Sequence, residues 1–203
     1  MAVFNNMLYA ISNALLAPVI IALLILLGWT LILLGGFLKE MWERRVLRFE
    51  LSRCVVLAKQ GKVPTIEIWE KLSQIPSGLP RRFTLFVEDK FSDEKITTQA
   101  LAQMENDVAD AVAKHSFITR ISPILGLMGT LIPLGPALSG LANGNMQELA
   151  GNLIVAFTAT VVGLLISGLA YGIGLARRAW YSRDLNDIEF ISNQIVVREK
   201  DYA

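Results

Sequence analysis

The stretch at residues 121–176, ISPILGLMGTLIPLGPALSGLANGNMQELAGNLIVAFTATVVGLLISGLAYGIGLA, decides the fold of this chain. It contains no Lys, Arg or Asp, and its one acid, Glu148, stands in a short polar segment that divides two apolar halves. Each half is long enough to cross a hydrocarbon core of roughly 30 Å as a helix. The sequence therefore predicts two membrane-spanning helices, at about 121–141 and 149–176, joined by a tight turn.

The rest of the composition also indicates a membrane protein. Of the 203 residues, 53% are hydrophobic and 18% are charged, and the mean hydropathy is +0.48, which is too apolar for an ordinary soluble domain. A third charge-free run at 14–38 provides about 37 Å of helix. We expect this run to be retained, because it is too long for a signal-peptide core and has neither a basic leader nor a small-residue cleavage site.

The placement of the positive charges predicts the orientation. Of the 19 Lys and Arg residues, 14 lie between Lys39 and Arg120 and five between Arg177 and Lys200, so they flank one end of each span. By the positive-inside rule the N-terminus is outside and the C-terminus is cytoplasmic. The single cysteine, Cys54, then lies on the reducing side of the membrane and can form no internal disulfide.

We expect an all-α membrane protein in which spans two and three continue as helices into a cytoplasmic domain. Residues 4–16 suit either a short helix in the outer interface or an extension of the first span. The division is 1–38 for the outer segment and first span, 39–120 for the cytoplasmic helical domain, 121–176 for spans two and three, and 177–203 for a cytoplasmic C-terminal helix.

Local signals predict where these helices begin and end. Gly61 with Pro64 should break the helix that continues from the first span. Ser92 or Asp93 is placed to cap the helix that enters the second span. Asn145 and Glu148 have the spacing of a capping box at the start of the third span.

A stripe of small residues runs along each of the last two spans, at spacings of three and four. Small faces let helices approach closely in lipid, where apolar bulk gives no drive for association. The stripes therefore imply tight packing against a neighbouring or partner helix, and a packing seam is the simpler interpretation. The stripe residues are Gly126, Pro133 and Ala137 in the second span and Ala156, Gly163, Ser167, Ala170 and Gly174 in the third.

Each stripe also carries one threonine, Thr130 or Thr160. Two hydroxyls on adjacent apolar helices suggest a lined passage for an ion. A threonine in a membrane helix also commonly bonds the carbonyl one turn back, which requires no ion. Pro133 and Pro136 predict a kink in the outer half of the second span.

The sequence offers no sign of enzyme chemistry. No nucleophile elbow, phosphate-binding glycine loop, zinc-ligand spacing or pair of catalytic carboxylates is present. Glu148 has a sufficient role as a helix cap, and the only histidine, His115, has no Cys or second His with which to bind a metal. The net charge of +1 gives no indication of nucleic-acid binding. We therefore expect neither an enzyme nor a cofactor or metal site.

The segments GLMGT at 126–130 and AFTATVVGL at 156–164, followed by a basic exit, resemble the MotA/TolQ/ExbB proton-channel family. The resemblance covers roughly 115–191, and three spans with the N-terminus outside are similar to its TolQ and ExbB branch. It implies a ring of subunits, typically a pentamer, around the membrane helices of a partner dimer of the ExbD, TolR or MotB type. Each partner chain has one span with an essential aspartate, and Thr130 and Thr160 fall on positions that line the ring interior.

The chain departs from this family pattern at one position. Members of the ExbB and TolQ type carry a glutamate five positions before the threonine of the third span, where this chain has Val155. The resemblance implies an ion-conducting stator subunit of a prokaryotic inner membrane, with H⁺ a better candidate than Na⁺. The alternative is a non-conducting membrane scaffold that oligomerises through its small-residue helix faces.

Overall fold

The computed structural model describes residues 2–60, 64–87 and 93–202, excluding the side chains of 2–13, 45–47, 60 and 199–202. It consists of five helices: α1 (Ala2–Gln60), α2 (Thr65–Ser73), α3 (Gly78–Val87), α4 (Glu94–Ala142) and α5 (Met146–Tyr202). The predicted all-α class is confirmed for this part of the chain. Within it, three helices, α1, α4 and α5, have the length and apolar composition needed to cross a membrane.

The helix ends follow from the capping residues. The side chain of Asp93 accepts a 2.9 Å hydrogen bond from the backbone N–H of Lys95, so Asp93 caps α4, and the alternative cap, Ser92, lies outside the described residues. At α5, Asn145 Oδ1 accepts from the N–H of Glu148 at 3.1 Å, and its Nδ2 donates to the Glu148 carboxylate at 3.1 Å. Gly144, with φ of 73°, makes the left-handed turn that ends α4.

Helices α1, α4 and α5 all continue well past their apolar runs, as predicted. Helix α1 is uninterrupted from Ala2 to Gln60, which favours the extension of the first span over a separate interfacial helix at 4–16. The predicted break at Gly61 lies outside the described residues. Helix α4 passes through Pro133 and Pro136 without interruption, and the kink stays a prediction.

The chain forms two compact units. The first, Met1–Gly36 with Lys114–Gly174, is built from the apolar parts of α1, α4 and α5. Much of its outer surface is apolar, for example Ile32 at 77% exposure, which is the surface that a helix bundle presents to lipid. Its buried core consists of Val19, Leu23, Ile118, Ile132, Ala159, Ile166 and Ala170.

The second unit, Phe37–Ala113 with Leu175–Ala203, has a core like that of a soluble helical domain. Helices α2 and α3 add to this core, with Trp69 and Phe83 in an edge-to-face contact at 6.2 Å between ring centroids. Burial of large side chains from all five helices stabilises the unit. The fully buried members include Leu51, Ile68, Leu72, Phe83, Ala100, Ile188 and Ile191.

Candidate functional site

The backbones of α4 and α5 touch along a seam in the first unit. A Cβ added at Gly163 would lie 2.8 Å from the carbonyl oxygen of Ser122 and 2.9 Å from the Cα of Gly126. A Cβ added at Gly126 would lie 3.3 Å from the carbonyl oxygen of Ala159. Only glycine fits such an approach at Gly163, so the seam explains both glycines of the predicted stripes.

The seam continues along both helices. The Ser167 hydroxyl donates a 2.8 Å hydrogen bond to the carbonyl of Thr119. Gly174 lies against His115, which is buried. The residue numbers of these contacts decrease along α4 as they increase along α5, so the two helices are antiparallel.

The other stripe residues face inward as well, with Pro133, Ala137, Ala156 and Ala170 all buried. The helix against which the third-span stripe packs is therefore α4 of the same chain. The sequence analysis allowed this stripe to bind a partner helix. At Gly163 and Ser167 the stripe instead contacts α4.

Helix α1 covers one side of this seam. A Cβ added at Gly129 would meet the side chain of Ala159 first and then Cδ1 of Leu23, at 3.8 Å. Leu23 and Ala159 belong to the same core cluster. Thr130 follows Gly129 in α4, and Thr160 follows Ala159 in α5. Each threonine is therefore rotated by about 100° around its helix relative to the residue before it. Both threonines therefore lie on the side of the seam away from α1, which we call the open flank.

The open flank is an apolar surface with two hydroxyls. Thr130 and Thr160 are both partly exposed, and the hydroxyl of Thr130 donates to the carbonyl of Leu127 at 2.7 Å. Thr160 lies level with Gly126, since its Cα is 3.6 Å from a Cβ built there. Neither α4 nor α5 carries a carboxylate at this depth, because Glu148 is the only acid in 121–176. The flank can hold water or a polar group from another chain, but it cannot itself bind and release a proton.

Val155 lies on the side of α5 that faces α1, away from the open flank. Val155 and Thr158 line a cavity of about 280 Å³ together with Ile20, Leu23 and Leu24 of α1. The Thr158 hydroxyl donates to the carbonyl of Ile154 at 2.8 Å. The family's glutamate position is thus apolar here and separate from the open flank.

The second unit contains a buried ion-pair network that the sequence interpretation missed. Arg44 Nη1 donates to Asp184 Oδ2 at 2.8 Å, and these side chains are 7% and 1% exposed. Glu40 accepts from Arg44 at 3.2 Å and from Arg177 at 2.9 Å. The guanidinium of Arg44 lies 5.0 Å from the centroid of the Trp180 ring. Two cations and two anions are thus neutralised together.

Burial changes the titration of two groups in this unit. Desolvation raises the pKa of the Asp184 carboxyl, although the Arg44 guanidinium opposes the shift. Burial likewise raises the pKa of the Cys54 thiol, with Glu50 contributing. A raised pKa keeps Cys54 in its unreactive thiol form.

A signal for this network was present in the sequence. Asp184 stands four residues before the buried Ile188 and seven before the buried Ile191, at a core position of α5. A charged residue there requires a buried partner. The partner itself, Arg44, is 140 residues away and could not be identified from spacing.

Comparison with protein families matches residues 83–188 to the MotA/TolQ/ExbB proton channel family. The match includes all of α4, the α4–α5 seam, both threonines and Asp184. In a comparison with individual curated proteins, nothing matches. Three apolar helices and this match fit a multi-pass membrane protein. Because the matched segment covers more than half of the 203 residues, the chain belongs to the MotA/TolQ/ExbB proton channel family.

Proposed function

We propose that this chain is an ion-conducting stator subunit that couples ion-motive force to mechanical work or energised transport. The observation that carries the proposal is the position of Thr130 and Thr160 on the open flank, within a chain of a proton-channel family. No acid of the chain itself occurs in 14–38 or 121–141, or in 149–176. The acid that binds the transported ion must therefore come from a partner.

The proposed partner is a dimer of single-span chains of the ExbD, TolR or MotB type, each with an aspartate in its span. An unpaired aspartate in an apolar ring is held neutral by desolvation. The hydroxyls of Thr130 and Thr160 provide hydrogen bonds or hold water beside it while it ionises. One elementary charge that crosses 100 mV releases about 2.3 kcal/mol, so several transfers can drive a mechanical step. We take H⁺ as the ion in preference to Na⁺.

We further propose a homopentamer in the prokaryotic inner membrane, with the N-terminus outside and most polar residues in the cytoplasm. The Lys and Arg blocks that follow the first span and precede the second support this orientation. The chain has no enzyme activity or cofactor in this proposal.

The alternative function, a scaffold that oligomerises through small-residue faces, has less support. Those faces meet each other within one chain at Gly126 and Gly163, as the backbone distances above require. They are therefore not available to hold copies together along the seam. The open flank, in contrast, lies away from α1 and leaves Thr130 and Thr160 partly exposed to another chain, although the Thr130 hydroxyl also bonds the Leu127 carbonyl.

Replacement of the threonines by valine tests the proposal. The double variant Thr130→Val, Thr160→Val is isosteric and removes only the hydroxyls, and Thr158→Val is the matched control on the α1-facing side of α5. Each variant is reconstituted in liposomes with a single-span partner of the ExbD, TolR or MotB type, and H⁺ and Na⁺ fluxes are measured with ion-sensitive dyes. We expect the double variant to lose flux and the control to keep it. Full flux from a well-assembled double variant would refute the channel role.

A further inference from the structure

We infer that helix α1, beyond its charge-free run, binds a second copy of this chain through an exposed apolar stripe. This inference rests on the ring assembly proposed above. Spacings of four and seven place the four side chains on one face of the helix. The α1 stripe consists of Leu38, Trp42, Phe49 and Val56, which are 48, 78, 61 and 51% exposed.

The α1 stripe is not explained by packing within the chain. The opposite face of the same helix segment is buried in the core of the second unit at Leu51, Cys54 and Ala58. Four large exposed apolar side chains on one face of a polar helix mark a binding surface, even though the Arg53 guanidinium lies 5.2 Å from the centroid of the Phe49 ring.

Lipid cannot cover the whole stripe. Val56 stands 18 residues after Leu38, the last residue of the charge-free run, which is about 27 Å of helix. The polar interface of a bilayer adds only about 5–8 Å on each side of the hydrocarbon core. Trp42 can reach that interface, whereas Phe49 and Val56 stand beyond it. The occupant of the stripe is therefore a protein.

A complementary surface lies on the outer face of α4. Ala102, Ala109 and Ala113 are all exposed there, and Ala102 and Ala109 repeat the seven-residue spacing of Trp42 and Phe49. The inner faces of α1 and α4 belong to the same core, so the α1 stripe and this alanine face point away from it in different directions. Such a pair of surfaces makes a head-to-tail contact, which can close into a ring.

The heights of the two surfaces agree. Glu43 and Arg44 line the same cavity, of about 390 Å³, as Val108 and Ala111, so Trp42 lies near the level of Ala109. In the predicted topology α1 runs towards the cytoplasm and α4 runs away from it. Both helices have the same rise per residue, so Phe49 lies near the level of Ala102. Copies inserted into one bilayer in one orientation have equal heights. The large side chains of one copy therefore meet the alanines of the next.

Charge favours the same pairing over a contact between two α1 stripes. Beside the α1 stripe, the cations Lys39, Arg48 and Arg53 outnumber the acids Glu43 and Glu50, which pair with Lys39 and Arg53. Beside the alanine face, the exposed acids Glu105 and Asp110 outnumber Lys114. A head-to-tail contact places a net positive surface against a net negative one, while a stripe-to-stripe contact places two net positive surfaces together.

Cysteine cross-linking in membranes tests this interface. The full chain carries Trp42→Cys and Ala109→Cys in a Cys54→Ala background and is oxidised with copper phenanthroline. A disulfide requires Cα atoms roughly 4.4–6.8 Å apart. We expect a ladder of multimers on a non-reducing gel, with loss of the monomer band. The matched control pairs Trp42→Cys with Ser182→Cys, an exposed position of α5 at a similar height, and should remain monomeric.

The other outcomes contradict the inference in distinct ways. Dimers from Trp42→Cys alone would show that two α1 stripes face each other. An equal ladder from the Ser182 control would indicate random collision. Native mass spectrometry of the unoxidised protein distinguishes the failure of this interface from the failure of the ring assembly. An oligomer whose cysteines do not cross-link would contradict the interface but not the ring, whereas a monomer would contradict both.

Discussion

Replacement of Gly163 by alanine is the sharpest test of the α4–α5 seam. The new Cβ would lie 2.8 Å from the carbonyl oxygen of Ser122, about 0.6 Å short of the 3.4 Å at which ordinary contact begins. The obstacle is backbone on α4, so no side-chain rotation relieves it. Helix separation would also stretch the Ser167–Thr119 hydrogen bond one turn away. Overpacking of this kind costs about 1–3 kcal/mol.

The matched control for this variant is Gly168→Ala, where a Cβ meets nothing within 4 Å. Both substitutions gain about 1 kcal/mol of helix propensity, so the difference between them isolates the clash. Unfolding in mixed micelles of dodecyl maltoside and SDS, followed by circular dichroism, gives both free energies. Equal stability of the two alanine variants would refute the close backbone approach.

Three further substitutions are measured in the same way. Asp184→Asn should cost about 3–5 kcal/mol, because it removes the buried partner of Arg44; a loss below about 1 kcal/mol, the value of an exposed pair, would contradict the burial. Asn145→Ala should cost about 0.5–2 kcal/mol through loss of the cap at α5, and no change would mean that solvent replaces it. Val155→Glu places a carboxylate in the apolar cavity beside α1 and should cost about 3 kcal/mol; a fully stable variant with raised ion flux would show that water reaches this cavity.

The sequence predicted the small-residue seam but not the helix on its other side. A stripe such as Ala156–Gly163–Ala170 records only that something approaches closely. The second span, a neighbouring copy and a partner helix all satisfy the same spacing. The distance from Gly163 to the backbone of Ser122 distinguishes them, because it requires α4 of the same chain.

The sequence-based division placed residues 39–120 and 177–203 in separate parts. In the structure, the second unit combines Phe37–Ala113 with Leu175–Ala203. Ile188 and Ile191 are buried in the core of this unit, but their spacing along α5 does not encode which helices cover them. The Arg44–Asp184 pair shows the same difficulty, since its partners are brought together only by tertiary packing.

The hydrogen bond of Thr130 restricts what this residue can do beside an acid. Its hydroxyl hydrogen is already donated to the carbonyl of Leu127 at 2.7 Å, so only its lone pairs are available. In this rotamer it can accept from a protonated aspartate or from water, but it cannot donate to an ionised carboxylate. Release of the Leu127 bond is therefore coupled to ionisation of the partner acid in the proposed cycle. Thr130→Ser keeps the hydroxyl and should preserve flux, whereas Thr130→Val should not. If serine fails as completely as valine, the methyl group and not the hydroxyl is what the site requires.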